Sequence, residues 1–365
     1  MSEPTKSDDL VVPAAEPADP VSIPGQAVGE SPVAPGQEPG GAPAATLTKA
    51  PADAPAQTPA TAPGKPGKPG KAGKAGKADT ERVASLWTDA WYDLRRNPLF
   101  LIGALLVAFM VALAIAPQLF TGKDPQSAGF CQLADSLKRP SADHWFGFDV
   151  QGCDVYTRTV WGARNSIVVG MLTTTLVVLV GGALGLLAGW VGGFWDSLLS
   201  RVTEIFFAIP LLLGGMLIMA NFQKGNAFTV SMVMAVLGWP QIYRLMRSAV
   251  LSNKHNDYVV AAKALGAGTS RILGRHILPN AVAPVIVVST INLGVYIGAE
   301  AALSYLGIGI QSPAISWGLM ISDAQARFLS APHVLLFPAV VLSITVLAFI
   351  MLGDAVRDAL DPKLR

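Results

Sequence analysis

Residues 165–195 read NSIVVGMLTTTLVVLVGGALGLLAGWVGGFW and contain no charged side chain. A run of this length predicts an α-helix that crosses a membrane, because about 20 helical residues span roughly 30 Å of hydrocarbon. Five other runs also lack lysine, arginine and acidic residues, and they cover residues 97–122, 205–223, 225–243, 276–299 and 328–353. We therefore expect an all-α integral membrane protein with six transmembrane helices.

The overall composition supports a membrane protein and excludes several other classes. Of the 365 residues, 51% are hydrophobic and 14% are charged, whereas globular chains carry about 25% charged residues. A soluble core could not bury so much apolar surface. The net charge of +2 is too small for a nucleic-acid-binding protein. Two cysteines exclude a disulfide-dense scaffold and a four-cysteine zinc site. We expect no metal site and no nucleic-acid partner.

A seventh uncharged run, residues 301–322, is rich in glycine and polar residues and contains Pro313. Its backbone would be poorly hydrogen-bonded in lipid. We assign it to an outside loop or a re-entrant segment. A seventh span would also place the basic C-terminus outside, which argues against it.

The first 80 residues differ from the rest of the chain. They hold more than half of the 27 prolines, and no aromatic residue occurs before Trp87. We expect residues 1–80 to be a disordered tail, because this composition buries too little apolar area to offset chain entropy. Lysine recurs at every third position in its last part, residues 64–78. This stretch could make electrostatic contact with an anionic inner leaflet or with an acidic partner. A solvated linker is the alternative.

Residues 81–94 place their apolar side chains on one helical stripe that includes Trp87 and Trp91. Aromatic side chains beside a span are typical of a helix that lies in the membrane interface. We therefore predict an interfacial amphipathic helix over residues 81–97. A helix packed against another protein is the alternative. The transmembrane domain then covers residues 98–365.

The distribution of basic residues predicts the orientation. With six spans and both termini cytoplasmic, most of the 27 lysines and arginines lie inside. This topology places Cys131 and Cys153 in an outer segment of about residues 120–164. A disulfide is permitted there and would stabilise the fold by about 3 kcal/mol in the chain-entropy model. Two unpaired buried thiols are the alternative.

The sequence shows no catalytic constellation, so we expect a protein that is not an enzyme. The four histidines are scattered, and no hydrolase or metalloprotease motif occurs. Glu300 is the one ionisable residue well along a predicted span. It could line a polar translocation path, or it could anchor the outer end of the fifth span. The scarcity of intramembrane charge argues against an ion-coupled secondary transporter.

The most informative inner segment lies between the fourth and fifth spans, where residues 257–267 read DYVVAAKALGA. Gly266 can end a short helix. Ala261 and Ala262 leave a helix face without bulk, so a partner surface can approach closely. We expect Pro279 to stop a second short helix before the next span. This projecting helix-turn-helix fits docking into a groove on another protein, and an ordinary amphipathic loop is the alternative.

This segment, about residues 254–280, resembles the cytoplasmic coupling loop of ABC importer permeases. The family pattern is Glu-Ala-Ala, three residues, Gly, and later Leu-Pro. Val260 stands at the position of the family's Glu. The resemblance implies that the residues contacting an ATPase are Tyr258, Ala261, Ala262, Gly266, Leu278 and Pro279.

Other segments are similar to the second, C-type permease of dipeptide, oligopeptide and nickel importers. They are HWFGFD at 144–149, GCDV at 152–155, GARNS at 162–166, RHILPN at 275–280 and EAALSYLG at 300–307. Phe148 and Cys153 replace the subfamily's usual Thr and Arg, and the second change agrees with a Cys131–Cys153 disulfide. The resemblance covers roughly residues 92–365.

The resemblance implies a permease of the bacterial plasma (inner) membrane that imports dipeptides or oligopeptides. Its implied partners are a homologous second permease, two ATPase subunits (or one ATPase with two nucleotide-binding domains), an extracytoplasmic substrate-binding protein and membrane lipid. No cofactor is expected on this chain, because ATP and Mg would bind to the ATPase subunits. Import of nickel chelates or another small ligand, and an ion-coupled secondary transporter, are the alternatives.

Overall fold

The computed structural model describes residues 91–222 and 225–360, and the elements assigned in them are helices. The predicted tail of residues 1–80 and most of the predicted interfacial helix of residues 81–97 lie outside the described residues. Residues 91–94 are helical. Leu94 packs in one apolar cluster with Ala355 and Ala359 from the other end of the chain.

Eleven α-helices are assigned within the described ranges. In chain order they are α1 (Pro98–Ile115), α2 (Gln118–Thr121), α3 (Val155–Val191), α4 (Gly193–Phe207), α5 (Leu211–Met219), α6 (Ala227–Asn253), α7 (Asp257–Ala264), α8 (Thr269–Ile272), α9 (Leu278–Tyr305), α10 (Trp317–Ala324) and α11 (Pro332–Leu360).

Four helical stretches of the described chain are long and apolar enough to cross a membrane, namely α1, α3, Thr269–Tyr305 and α11. The pair α4 and α5 adds a fifth if it forms one span, although its two halves are bent by 84°. Helix α6 has 27 residues, but Arg244 and Arg247 make its C-terminal half more polar. The helical membrane fold is therefore as expected, with four or five of the six spans supported by length and composition.

Local sequence signals explain where several helices start. The Asn97 side chain accepts a hydrogen bond from the Leu99 N–H at 2.9 Å at the start of α1. The Asp154 carboxylate accepts one from the Thr157 N–H at 3.1 Å at the start of α3. Such side chains satisfy N–H groups that have no partner inside the helix.

Small residues allow α3 and α6 to pack closely. A Cβ added at Gly181 would lie 2.5 Å from the carbonyl oxygen of Trp239, and one at Gly185 would lie 2.5 Å from that of Tyr243. Glycine at these positions lets the two backbones approach, as in other membrane helix pairs with small residues four apart. The largest buried apolar cluster of the described residues draws mainly on α6 and α9, and α3 adds Val169 and Val177 to it.

The bundle has two ends, which we name by their contents. At the disulfide end, Val155 of α3 shares an apolar cluster with Met320 of α10 and Val334 of α11, and Cys131 and Cys153 form the disulfide that the sequence suggested. The loop end carries α7 and α8. Residues 155–164 of the predicted outer segment belong to α3.

Residues 301–322 do not form a spanning helix, in agreement with their glycine and proline content. Helix α9 continues through Tyr305, and a connection at residues 306–316 leads to the short helix α10. The N–H of Gln311 in this connection donates to the carbonyl of Gly225 at 3.1 Å, which joins it to the residues before α6.

The expectation that Pro279 stops a short helix is wrong. Residues Thr269–Tyr305 form one continuous helical stretch, and a π-helical turn, Leu273–Ile277, connects α8 to α9. The N–H of Leu278 donates to the carbonyl of Leu273, five residues back. Pro279 lies inside this stretch, directly after the π-helical turn, and the helix continues through it.

Candidate functional site

Gly266 ends α7 with a tight turn at the loop end. Its φ is +79°, in the left-handed region that favours glycine. The N–H of Ala267 donates to the Ala262 carbonyl at 3.0 Å, and the N–H of Gly266 donates to the Lys263 carbonyl at 3.0 Å. These two bonds form a Schellman motif. The turn predicted at Gly266 is therefore present, with its hydrogen bonds complete.

Helix α7 has a buried face and an exposed face. Val259 and Ala262 are buried in the same apolar cluster as Ile272 and Ile277. Ala262 thus packs against the chain itself, whereas the sequence suggested that Ala261 and Ala262 together faced a partner. Ala261 is exposed.

Apolar side chains are exposed together on α7 and its turn. Leu265 is 88% exposed and Val260 is 54% exposed. Tyr258 is partly exposed, and its hydroxyl donates to the side-chain oxygen of Asn253 at 3.0 Å. We call Tyr258, Val260, Ala261 and Leu265 the apolar tip. Exposed apolar groups that cluster outside a span indicate an interaction surface.

Two lysines fasten the loop to the end of α3. The ammonium group of Lys263 lies 4.8 Å from the ring centroid of Trp190, and that of Lys254 lies 5.4 Å from it. Lys254 also donates to the Trp190 carbonyl. These cation–π contacts hold α7 against the membrane helices. Leu278 and Pro279 are exposed on the following first turn of α9.

Glu300 is fully buried on α9. Its carboxylate accepts hydrogen bonds from Ser304 Oγ at 2.7 Å and from Ser166 Oγ at 3.2 Å. Ser304 Oγ accepts from the Ile310 N–H at 2.9 Å, and Ser166 Oγ accepts from the Trp317 N–H at 3.2 Å. The carboxylate therefore lies at the centre of a network that joins α3, α9 and the connection to α10. A role of Glu300 in the translocation path stays a prediction.

A separate pocket of about 370 Å³ lies at the bend between α4 and α5. Apolar side chains form much of its wall: Phe206, Phe207, Leu211, Leu237 and Val295. The guanidinium of Arg244 lies 3.8 Å from the ring centroid of Phe207, although Arg244 is not among the residues that line the pocket. Glu300 is not among the residues that line this pocket.

The polar part of the same wall comes from the middle of α6 and α9. The Asn292 side-chain amide donates to Gln241 Oε1 at 3.1 Å. Asn292 is buried, whereas Gln241 is exposed. Tyr296 lies one turn beyond Asn292, and a Cβ at Gly238 would lie 2.4 Å from its hydroxyl oxygen. The side chains that line the pocket can donate and accept hydrogen bonds, and none of them carries a charge.

At the disulfide end, Arg158 contacts two carboxylates. It donates to Asp149, and its Nη2 lies 3.8 Å from the Asp323 carboxylate. Asp149 also accepts from the backbone N–H groups of Gln151 at 2.8 Å and Cys153 at 2.9 Å. Burial raises the pKa of Asp323, and the charge of Arg158 opposes this shift. Asp149 thus fixes the turn that carries Cys153.

The structure places the predicted site residues in three regions. The predicted coupling residues lie at the loop end, the two cysteines lie at the disulfide end, and Glu300 is enclosed between helices. Sequence reasoning missed Gln241 and Asn292. Their signal was available, because each is an amide side chain within an uncharged run otherwise dominated by apolar residues. The described residues contain no cluster of His, Cys, Asp and Glu suited to a metal ion.

Residues 181–365 match the family described as binding-protein-dependent transport system inner membrane component. Residues 85–134 match the N-terminal TM domain of oligopeptide transport permease C.

Similar proteins cover most of the chain. It is similar to the oligopeptide transport system permease protein OppC of Bacillus subtilis, with 40% identity over 291 residues, 79% of this chain and 94% of the relative. It is also similar to the dipeptide transport system permease protein DppC of Alkalihalophilus pseudofirmus, with 39% identity over 289 residues, 79% of this chain and 93% of the relative. The glutathione transport system permease protein GsiD of Pectobacterium atrosepticum is 34% identical over 283 residues, 78% of this chain and 93% of the relative.

Proposed function

The chain belongs to the family of binding-protein-dependent transport system inner membrane components, and on that premise we propose that it conducts dipeptides or oligopeptides across the membrane in an ATP-driven importer. It is a permease subunit and not an enzyme. The names of its relatives support peptides as the substrate class. Glutathione, carried by another relative's system, is itself a small peptide.

The observation that carries the proposed coupling role is the exposed apolar tip on a rigid turn. Leu265 projects from a completed Schellman motif, while Val259 and Ala262 hold the helix to the bundle. We propose that an ATPase subunit covers this tip and that α7 moves with it as a unit. Val260 would add an apolar contact at the position where the Glu-Ala-Ala pattern of ABC importer permeases has Glu.

The proposed assembly contains a homologous second permease, two ATPase subunits or one ATPase with two nucleotide-binding domains, and an extracytoplasmic binding protein. ATP and Mg bind to the ATPase subunits in this arrangement. The contact residues proposed on this chain are the exposed ones among those assigned from the sequence, with the addition of two exposed side chains of the tip: Tyr258, Ala261, Gly266, Leu278 and Pro279, together with Val260 and Leu265. Ala262 is buried and positions α7 from within.

We propose six spans with both termini in the cytoplasm. The spans are α1, α3, the bent pair α4–α5, α6, the stretch Thr269–Tyr305 and α11. The disulfide end faces outward, because disulfides persist outside the cytoplasm. The loop end faces inward, since it carries Lys254, Lys263, Arg271 and Arg275. Residues 1–80 are then a cytoplasmic tail and residues 81–97 an interfacial helix, with an outer segment at about 120–164 and a coupling loop at about 254–280.

Purification of the tagged chain from its native membrane in mild detergent tests the assembly. We expect a second permease and ATPase subunits to co-purify. After reconstitution into vesicles with the binding protein, labelled tri-alanine should accumulate only when ATP is supplied. Uptake that is indifferent to ATP, or a chain that purifies without an ATPase, would contradict the proposal.

A further inference from the structure

The bend between α4 and α5 leaves backbone oxygens without partners. Within the described residues, no hydrogen bond reaches the carbonyl oxygens of Phe207, Ala208 or Ile209, whereas the Pro210 carbonyl accepts from Gly214 at 2.9 Å. Pro210 ends the helical pattern because it has no N–H and restricts the residue before it. Non-helical backbone at membrane depth occurs where it is buried in protein or lines a water-filled cavity.

The polar side chains of the pocket come from α6 and α9 and share its wall with residues of this bend. Asn292 and Gln241 meet at 3.1 Å, and both belong to the wall of the same pocket as Phe207 and Ile209. Gln241 is exposed near the middle of α6. An exposed amide is unfavourable against lipid tails and favourable beside water or a polar ligand.

The wall of the pocket matches the chemistry of a peptide backbone. Unpartnered carbonyls at the bend can accept from peptide N–H groups, and the amides of Gln241 and Asn292 can both donate and accept. Apart from Tyr296, the remaining lining side chains are apolar, and none is charged. A volume of about 370 Å³ falls within the range of ligand pockets. The pocket would therefore recognise the repeated backbone amides of a peptide and tolerate varied apolar side chains.

We infer that the pocket at the α4–α5 bend is a subsite of the translocation path, in which Gln241 and Asn292 hydrogen-bond the backbone amides of the passing peptide. This inference rests on the proposed function, because it requires that the chain conducts peptides. It assigns the polar part of the path to the middle of α6 and α9 and to the open carbonyls of Phe207 and Ile209, the two residues of the three that line the pocket.

The first test compares leucine variants in the reconstituted transporter, with saturating binding protein loaded with labelled tri-alanine. We expect Gln241→Leu to lower ATP-dependent uptake about tenfold, while ATP hydrolysis stimulated by the loaded binding protein stays within about twofold of wild type. Ser343→Leu on α11 is the matched control, because Ser343 is exposed on a spanning helix and does not line the pocket. Ser343→Leu should leave both peptide uptake and ATP hydrolysis within about twofold of wild type. Unchanged uptake by Gln241→Leu would overturn the inference.

A second measurement does not depend on transport by a leucine variant. Gln241→p-benzoylphenylalanine, placed in the complete complex with ATPase subunits that cannot hydrolyse ATP, should cross-link to labelled tri-alanine on illumination. Ser343→p-benzoylphenylalanine should not. Absence of the cross-link at position 241 would overturn the inference even if wild-type transport is ATP-driven. Failure of the wild-type complex to take up peptide would instead refute the proposed function, and the inference with it.

Discussion

Glu300 and Ser166 are 134 positions apart in the chain, and a hydrogen bond of 3.2 Å joins the carboxylate of one to the hydroxyl of the other. This bond connects α9 to α3. No lysine, arginine or histidine among the described residues forms an ion pair with Glu300. The carboxylate therefore depends on hydroxyl donors, and it fixes residues 306–316 through them.

Replacing Glu300 should destabilise the transporter. Glu300→Leu leaves the buried hydroxyls of Ser166 and Ser304 without their acceptor, which costs about 1–3 kcal/mol of unfolding free energy. Glu300→Gln keeps an oxygen acceptor and should cost less. The Tm of the detergent-solubilised complex measures both effects. Glu204→Leu is the control, because the Glu204 side chain is 52% exposed. An unchanged Tm in Glu300→Leu would contradict the structural role.

Two adjacent glycines on α3 should respond differently to alanine. A Cβ at Gly181 would lie 2.5 Å from the Trp239 carbonyl, whereas one at Gly182 would meet only Met246 Cε at 3.8 Å. Gly181→Ala forces α3 and α6 apart and should cost about 1–3 kcal/mol. Gly182→Ala should be neutral or slightly stabilising, because alanine favours the helix. Thermal unfolding of both variants checks this, and equal Tm values would refute the close α3–α6 contact.

The apolar tip should be required for ATPase binding and not for folding. Leu265→Asp places a charge on a side chain that is 88% exposed, so the Tm of the isolated permease pair should not change. Loss of a buried leucine contact costs about 1.5–3 kcal/mol, which predicts at least about a tenfold weaker ATPase association. Co-purification and substrate-stimulated ATP hydrolysis measure this. Ser270→Asp, an exposed control on α8, should have a smaller effect.

Substitution at Ala262 should have a different outcome from Leu265→Asp. Ala262 is buried with Val259 and Ile272, so Ala262→Trp overfills the chain's own core. We expect a lower Tm together with lost uptake. Wild-type uptake and Tm in Ala262→Trp would show that α7 packs differently.

Asp323 should make the disulfide end sensitive to pH. Burial raises the pKa of Asp323 above 3.8, its ordinary value. A carboxyl with a raised folded-state pKa favours folding below its unfolded pKa, and this contribution is lost as the pH rises through the folded pKa. Asp323→Asn should therefore raise Tm relative to wild type more at about pH 8 than at a pH near the ordinary value of 3.8.

The control for this pH effect is Asp143→Asn, an exposed aspartate in the same end of the bundle. Scanning fluorimetry of both variants gives the comparison. A larger increase in Tm for Asp323→Asn at the lower pH would contradict the prediction.

The spanning helices were predictable because lipid excludes charge, but charge marks the membrane boundary and not the end of a helix. The run at residues 205–223 begins inside α4, which starts at Gly193 and carries Asp196 and Arg201 before it. The 84° bend at Pro210 divides that run. A proline alone does not predict this bend, since Pro240 and Pro284 lie inside continuous helices.

The coupling loop shows where local reasoning stops. Gly266 was predictable as a helix end, because its backbone conformation is a local property. The direction of Ala262 depends on tertiary packing, since Ala261 is exposed and Ala262 is buried on the same helix. Asn292 and Gln241 are 51 positions apart in the sequence. Only the packing of α6 against α9 brings them together.

The π-helical turn at Leu273–Ile277 has a mechanical consequence. Because helical structure is unbroken from Thr269 to Tyr305, these 37 residues form a rod about 55 Å long. A force on α8 at one tip tilts the whole rod, and a tilt of about 5° displaces the other tip by roughly 5 Å. Glu300 lies near that far tip, so a tilt of the rod would displace the Glu300 carboxylate.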